Sequence, residues 1–289
     1  MIENFFSTDF ARSSKFKWDF VTRVEELTKW QHLSENFKLY LQESRDKTNL
    51  LKKIPKKIHQ IWIGPKKIPK KYLDWGFSWR KNNPDWEYKL WTNKDINNMF
   101  MQKRSLYDSS DNIGFKSDIV RYEILHKYGG IYIDTDFECI GEIPDNLRDY
   151  NFVSCLGFDY APQILNGFLM ASPQSKIIKE LISNLQLPKN KNDPMTIINE
   201  SGPTKLTEVY FKNNNYNGSL ILPSNFCYPF PSFLINSSVS KESEITSESF
   251  AIHHWEMSWM KGNLLNRIFN KIKKYLKMMN NIFSRKICK

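Results

Sequence analysis

Asp134 and Asp136 stand one residue apart, directly after the apolar triplet Ile131-Tyr132-Ile133. Two carboxylates at that spacing can approach one hard cation together, either because the chain leaves the pleat after Ile133 or because strand alternation puts both on one face. A dication held by oxygen ligands acts as a Lewis acid on phosphate oxygens and absorbs the charge that develops when a phosphate departs. Asp-x-Asp by itself is a weak signal, since most such triplets are solvated turn residues. A second pair lies upstream. Asp118 and Arg121 are three residues apart, so on a helix they share a face, where a carboxylate and a guanidinium can hold ligand hydroxyls. The plainer reading of that pair is a surface ion pair worth about 0.3 kcal/mol.

Periodicity supplies the elements that must carry these residues. Ser117 to Tyr128 places Ile119, Val120, Ile124, Leu125 and Tyr128 at helical spacing, and Gly129-Gly130 supplies the stop. Ile131 to Ile133 then reads as a short strand running into the aspartates. Upstream, Lys57-Ile58-His59-Gln60-Ile61-Trp62-Ile63-Gly64 reads as a buried strand ended by Gly-Pro. Lys70 to Asn82 follows as a helix and Glu87 to Trp91 as a second strand. Strands alternating with helices predict an α/β domain whose ligands lie beyond the carboxyl ends of the strands, where the aspartates stand. Downstream the pattern is less regular, with a strand at Phe152 to Cys155, a helix at Ser175 to Leu185, loops rich in Asn, Ser and Pro, and a last strand or turn at Ala251 to Trp255.

Two segments flank this domain. From Phe16 to Lys53, Phe20, Val24, Leu27, Trp30, Leu33, Phe37 and Leu41 recur at helical spacing, which predicts a helical hairpin or arm. From Leu264 to Ile287, Leu264, Leu265, Ile268, Phe269, Ile272, Leu276, Met279 and Phe283 alternate with lysines and arginines, the pattern of an amphipathic helix for an anionic membrane surface or for packing on the body. The expected division is an arm at 1–53, a catalytic domain at 54–262 and a basic tail at 263–289.

Charge narrows the choice of partner. The chain has 289 residues, 40% of them hydrophobic, and a net charge of +11. Eight lysines without an acid lie between Lys52 and Lys71, and nine basic residues without an acid between Lys261 and Lys289. The rest holds 25 basic and 31 acidic residues, so the body is slightly acidic and no nucleic-acid partner is expected. Cys139, Cys155, Cys227 and Cys288 show neither zinc-knuckle spacing nor the density of a disulfide scaffold, which points to reduced thiols in a cytosolic compartment. Met1 to Lys17 carries acids and no continuous apolar stretch, so no signal peptide is expected, and no run reaches the roughly 18 apolar residues of a spanning helix.

The run Phe115-Lys116-Ser117-Asp118-Ile119-Val120-Arg121-Tyr122-Glu123-Ile124-Leu125, followed by Tyr128-Gly129-Gly130-Ile131-Tyr132-Ile133-Asp134-Thr135-Asp136, resembles the sugar-binding DXD region of family 32 glycosyltransferases. That family includes yeast-type α-mannosyltransferases and bacterial capsular-polysaccharide enzymes, and the region is similar also to the clostridial glucosylating toxins. Ile58 to Gly64 resembles the family's opening strand, and His253-His254-Trp255 with Ser258-Trp259 resembles its C-terminal H-x-W…SW segment. The resemblance implies a GT-A fold and retaining transfer of a hexose from a nucleotide-diphosphate donor to a glycan or lipid-linked glycan, in surface-polysaccharide synthesis. By the same resemblance Trp62 would lie against the nucleobase, Asp118 and Arg121 would contact the transferred sugar, and Asp134 the ribose or sugar side. Asp136 and His253 would bind Mn²⁺ or Mg²⁺, with His254 the alternative ligand. Ser258 and Trp259 would reach the diphosphate, and Asn166 would face the sugar and acceptor. Three other readings stand beside it: a metal-dependent phosphohydrolase, which also uses Asp-x-Asp at a strand end, a toxin-like protein glycosyltransferase, and a nucleic-acid-binding module, ranked last. The implied place of work is the cytoplasm, with the basic tail on a membrane.

Overall fold

The computed structural model describes residues 9–13, 24–43, 53–158, 162–190, 193–212, 218–235 and 237–256. The strands among them are β1 (Lys57–Trp62), β2 (Glu87–Thr92), β3 (Gly130–Ile133), β4 (Phe137–Cys139), β5 (Phe152–Phe158), β6 (Pro162–Ala171), β7 (Ser219–Leu222) and β8 (Ala251–His253). The α-helices are α1 (Asp9–Ser13), α2 (Val24–Glu43), α3 (Lys70–Asn82), α4 (Asn93–Asn97), α5 (Arg104–Asp108), α6 (Ile113–Tyr128), α7 (Lys176–Asn184), α8 (Pro194–Glu200) and α9 (Pro203–Lys212). The main sheet has the order β2-β1-β3-β6-β5-β7, and β4 and β8 form a separate antiparallel pair. Of the main-sheet pairs, β1 with β2, β1 with β3 and β5 with β7 are parallel, and β6 runs antiparallel to both neighbours.

β1 is the pivot of this order. β2 lies on one side of it and β3 on the other, so the crossovers diverge at the carboxyl ends of β1 and β3, the switch point where open α/β sheets place ligands. Trp62 lies at one of those ends and Asp134 just past the other. A strand covered on both faces should be apolar throughout, yet β1 carries His59 and Gln60, both buried. Each is satisfied. His59 Nε2 donates to the Gly129 carbonyl at 2.9 Å and its Nδ1 accepts from the Trp91 indole at 3.2 Å, an arrangement that suits the neutral ring. Gln60 Nε2 donates to the carbonyl of Asp134 at 3.2 Å, tying β1 to the start of the acidic turn.

α3, β1, β2 and β3 fall where periodicity places them. α3 buries Tyr72, Gly76 and Trp79, the stripe a helix of this spacing presents to a sheet, and the Trp79 indole donates to the Phe137 carbonyl at 3.1 Å. α6 begins four residues earlier than the apolar pattern suggests, because the Asn112 side chain caps it by accepting from Phe115 N–H at 3.0 Å. Its whole middle, Asp118 to Leu125, is buried. Gly129 and Gly130 end it at φ 61° and 98°, and a Cβ on Gly130 would lie 2.5 Å from the Lys57 carbonyl oxygen of β1.

The helical arm packs into the same core. α2 buries Trp30, Leu33, Phe37 and Tyr40, with the Trp30 ring edge-on to Phe211 at 5.1 Å and Phe37 edge-on to Phe226 at 5.8 Å. The expected amphipathic tail at 263–289 lies outside the described residues.

His59 gives the fold a pH signature. Burial pushes its ring from the ordinary 6.5 down to about 4. Its contribution is therefore complete above pH 6.5 and is lost as pH falls through 4, a difference of about 3 kcal/mol. Unfolding free energies from urea titrations across that window should fall for the native chain, and the fall should be smaller by about 3 kcal/mol in His59→Gln.

Candidate active site

The chain leaves β3 at Ile133 and turns, with Phe137 N–H donating to the Asp134 carbonyl at 3.2 Å, before starting β4. That turn sets the two carboxylates on different neighbours. Asp134 Oδ1 accepts the Tyr132 hydroxyl and faces Arg121 Nη1 at 3.2 Å. Asp136 Oδ1 lies 3.1 Å from His253 Nε2, and its Oδ2 accepts Glu256 N–H at 2.8 Å. The β4–β8 ladder explains the second set: Phe137 pairs with His253, so the strand returning more than a hundred residues later places an imidazole beside the residue preceding Phe137.

The last residue of β8 and the one that follows it turn to opposite sides, which separates the neighbouring histidines. His253 is buried at the acidic turn, whereas His254 points to the other side, stacked on Trp75 at 4.2 Å with its ring nitrogens 3.0 Å from Glu138 and 2.8 Å from Lys241. Between the two candidate ligands, the geometry brings only His253 to the carboxylates. Ligand atoms of Asp134, Asp136 and His253 all lie within 4.8 Å of one another.

Asp118 and Arg121 are no surface pair. They are 5% and 6% exposed and 3.2 Å apart, so removing either partner strands a buried charge, a loss of about 3 to 5 kcal/mol against the few tenths of a solvated pair. The rest of the coordination explains how burial is tolerated. Arg121 Nη1 donates to the Asn166 carbonyl at 2.7 Å, and its guanidinium lies over the Tyr132 ring at 4.4 Å. Asp118 accepts from Asn166 Nδ2 at 2.9 Å and from the Ser201 hydroxyl at 2.6 Å. Tyr122 closes the network, donating to the Ser201 carbonyl at 2.7 Å and accepting from Asn166 Nδ2 at 3.1 Å.

Asn166 reaches this position through an irregularity in the sheet. Ser154 and Cys155 are consecutive on β5 but pair with Leu169 and Leu165, so Asn166, Gly167 and Phe168 bulge from β6 toward the acidic turn. The Ser154 hydroxyl lies 2.8 Å from the Leu165 carbonyl and 3.2 Å from that of Phe168, bridging the base of the bulge. At its tip a Cβ on Gly167 would lie 2.8 Å from Asp134 Oδ2 and 3.1 Å from the Tyr228 hydroxyl. The Tyr228 hydroxyl beside Gly167 is buried without a hydrogen-bond partner.

Electrostatics divides the carboxylates. Burial alone would push Asp136 up, but the facing His253 ring, its hydrogen bond and the Glu256 N–H hold it below the usual carboxylate range. Burial pushes Asp134 and Asp118 above that range, although Arg121 pulls both back.

Of the residues singled out in the sequence, Asp118, Arg121, Asp134, Asp136, Asn166 and His253 converge. Trp62 stands apart at the end of β1, half-buried, with its ring 5.1 Å from Tyr72 and its N–H on the Lys66 carbonyl at 2.8 Å. Ser258 and Trp259 lie outside the described residues. Ser201, Tyr122, Gln60 and Tyr228 escaped sequence reasoning. Ser201 sits in a Ser-Gly-Pro break between α8 and α9, which signals a turn and nothing about a distant carboxylate.

Residues 70–153 match the family described as "Glycosyltransferase sugar-binding region containing DXD motif". The chain is 31% identical over 188 residues to an uncharacterized glycosyltransferase of Acanthamoeba polyphaga mimivirus, covering 61% of this chain and 73% of that one. It is 38% identical over 163 residues to inositol phosphoceramide mannosyltransferase 3 of Schizosaccharomyces pombe, covering 54% of this chain and 45% of that one, so it spans about half the length of this yeast relative. Among solved structures, the catalytic domain of alpha-toxin from Clostridium novyi superimposes over 90% of both chains with a TM-score of 0.52 at 12% identity, a likeness of fold. The chain is therefore a member of the DXD-containing family 32 glycosyltransferases, built on the GT-A fold.

Proposed function

We propose that the chain is a metal-dependent, retaining glycosyltransferase that moves a hexose from a nucleotide-diphosphate donor to a glycan or glycolipid acceptor, in surface-polysaccharide synthesis. The observation that carries this reading is the junction at Asp134, where a cation-sized triangle of Asp134, Asp136 and His253 adjoins the polar grip of Asp118, Arg121 and Asn166. The donor set fits a hard dication. Octahedral ligands at about 2.1 Å lie about 3 to 4 Å apart, so a spread of 4.8 Å closes with side-chain shifts of about 1 Å. His253 Nδ1 is buried without a hydrogen-bond partner, which leaves one ring nitrogen uncommitted to any protein group. Bound there, Mn²⁺ or Mg²⁺ would offset the charge of the departing diphosphate.

The chain's own residues would do the rest by orientation. Asp118 and Arg121 would hold sugar hydroxyls. Both oxygens of Asp118 already accept hydrogen bonds, which suits a holder better than a nucleophile. Transfer would then proceed on one face of the sugar: the bond from the anomeric carbon to the diphosphate oxygen breaks, the acceptor oxygen bonds to the same face, and the acceptor's proton passes to the departing phosphate. Trp62, at the carboxyl end of β1, would take the nucleobase on its ring, and Ser258 and Trp259 would reach the diphosphate. Relatives named for mannosyl transfer to inositol phosphoceramide favour mannose as the sugar and a glycolipid as the acceptor. No described helix is long and apolar enough to cross a membrane, and the tail at 263–289 would hold the enzyme on a membrane from the cytoplasmic side.

Two experiments test the reading. Asp136→Ala should lower turnover of a nucleotide-sugar by at least about 100-fold while the circular dichroism spectrum is kept; near-normal turnover refutes the assignment. Chelation should abolish hydrolysis of a nucleotide-sugar and Mn²⁺ restore it, with the half-saturating Mn²⁺ concentration raised about 10- to 100-fold in His253→Ala and unmoved in His254→Ala.

A further inference from the structure

We infer that the outward face of α3 is a docking surface for an anionic lipid bilayer, separate from the tail. The buried stripe of this helix is Tyr72, Gly76 and Trp79. The opposite stripe runs Lys70, Leu73, Phe77 and Lys81, at the i, i+3, i+4 spacing of one face. Leu73 is 47% and Phe77 59% exposed, and Lys66 and Lys67 in the preceding loop are exposed beside the helix start. A single exposed apolar residue needs no explanation, but an adjacent leucine and phenylalanine rimmed by lysines is the pattern of a helix that lies in a headgroup layer. Asp74, the acid beside the stripe, is 2.6 Å from Lys70 Nζ.

Charge selects the occupant. The chain's own basic tail, nine cations and no acid from Lys261 to Lys289, is electrostatically mismatched to this lysine-rimmed face, so an anionic partner fits it better. A nucleic-acid backbone would meet the lysines and leave Leu73 with nothing apolar to cover it, whereas the boundary between headgroups and acyl chains takes both. The face is also rigidly joined to the candidate site. Trp79 holds the carbonyl of Phe137, and Lys71 pairs with Glu256, whose N–H donates to Asp136. Seating this face on a bilayer would fix the acidic turn roughly one helix diameter, about 10 Å, from the membrane surface. The inference does not depend on the transfer reaction.

The test is flotation of the full chain with phosphatidylcholine vesicles with and without phosphatidylglycerol. The native chain should float only with the anionic vesicles and detach as salt rises. Leu73→Ser with Phe77→Ser should weaken flotation roughly fivefold or more, Lys66→Glu with Lys67→Glu should do the same, and neither should change hydrolysis of a nucleotide-sugar in vesicle-free solution. Native binding by both variants, binding lost solely when tail lysines are replaced, absence of flotation by the native chain, or binding of single-stranded RNA that the same variants abolish would each overturn it.

Discussion

Two carboxylates just past the end of β3 and a third on α6, linked through Arg121, are the arrangement on which the rest of the structure depends. Two such charges about 5 Å apart repel by about 3 kcal/mol at an effective dielectric of 20. The fold offsets this with one guanidinium between Asp118 and Asp134 and one imidazole on Asp136. The architecture follows from delivering those two groups. α6 is buried along its middle because Arg121 must lie inside, over Tyr132. The β4–β8 ladder, which starts directly after the acidic turn, is what brings His253 back to it. One guanidinium and one imidazole do not balance three carboxylates, and the remaining negative charge is complementary to a dication.

The acidic turn and its helix were legible because their signals are local. Apolar spacing over Ser117 to Tyr128, a glycine stop and an apolar triplet need no knowledge of the rest of the chain, and α3 and β2 were legible for the same reason. β6 was not. Its ten residues begin with Pro162 and contain Gly167, both poor strand formers, and its register breaks at the bulge, so no alternation survives to be read. α8 and α9 lie in a stretch rich in Asn, Lys and Pro, where tertiary packing rather than periodicity decides.

The site shows the same division. Asp118, Arg121, Asp134 and Asp136 stand within nineteen residues and their relation follows from helix and strand geometry. The choice between His253 and His254 depended on strand parity, which the sequence could not settle because the segment read equally as strand or turn. Ser201 and Tyr228 act across the fold, and nothing in their own neighbourhoods marks them.

The bulge at Asn166 also separates two kinds of change. Ser154 fastens its base to the carbonyls of Leu165 and Phe168, and beyond the Cys155–Leu165 pair the β5–β6 hairpin resumes ordinary pairing out to Phe158 and Pro162. Residues gained or lost at the hairpin tip are therefore absorbed outside the staple, and the amide that grips Asp118 does not move. Length can vary beyond the Cys155–Leu165 pair while Asn166 keeps its hydrogen bond to Asp118.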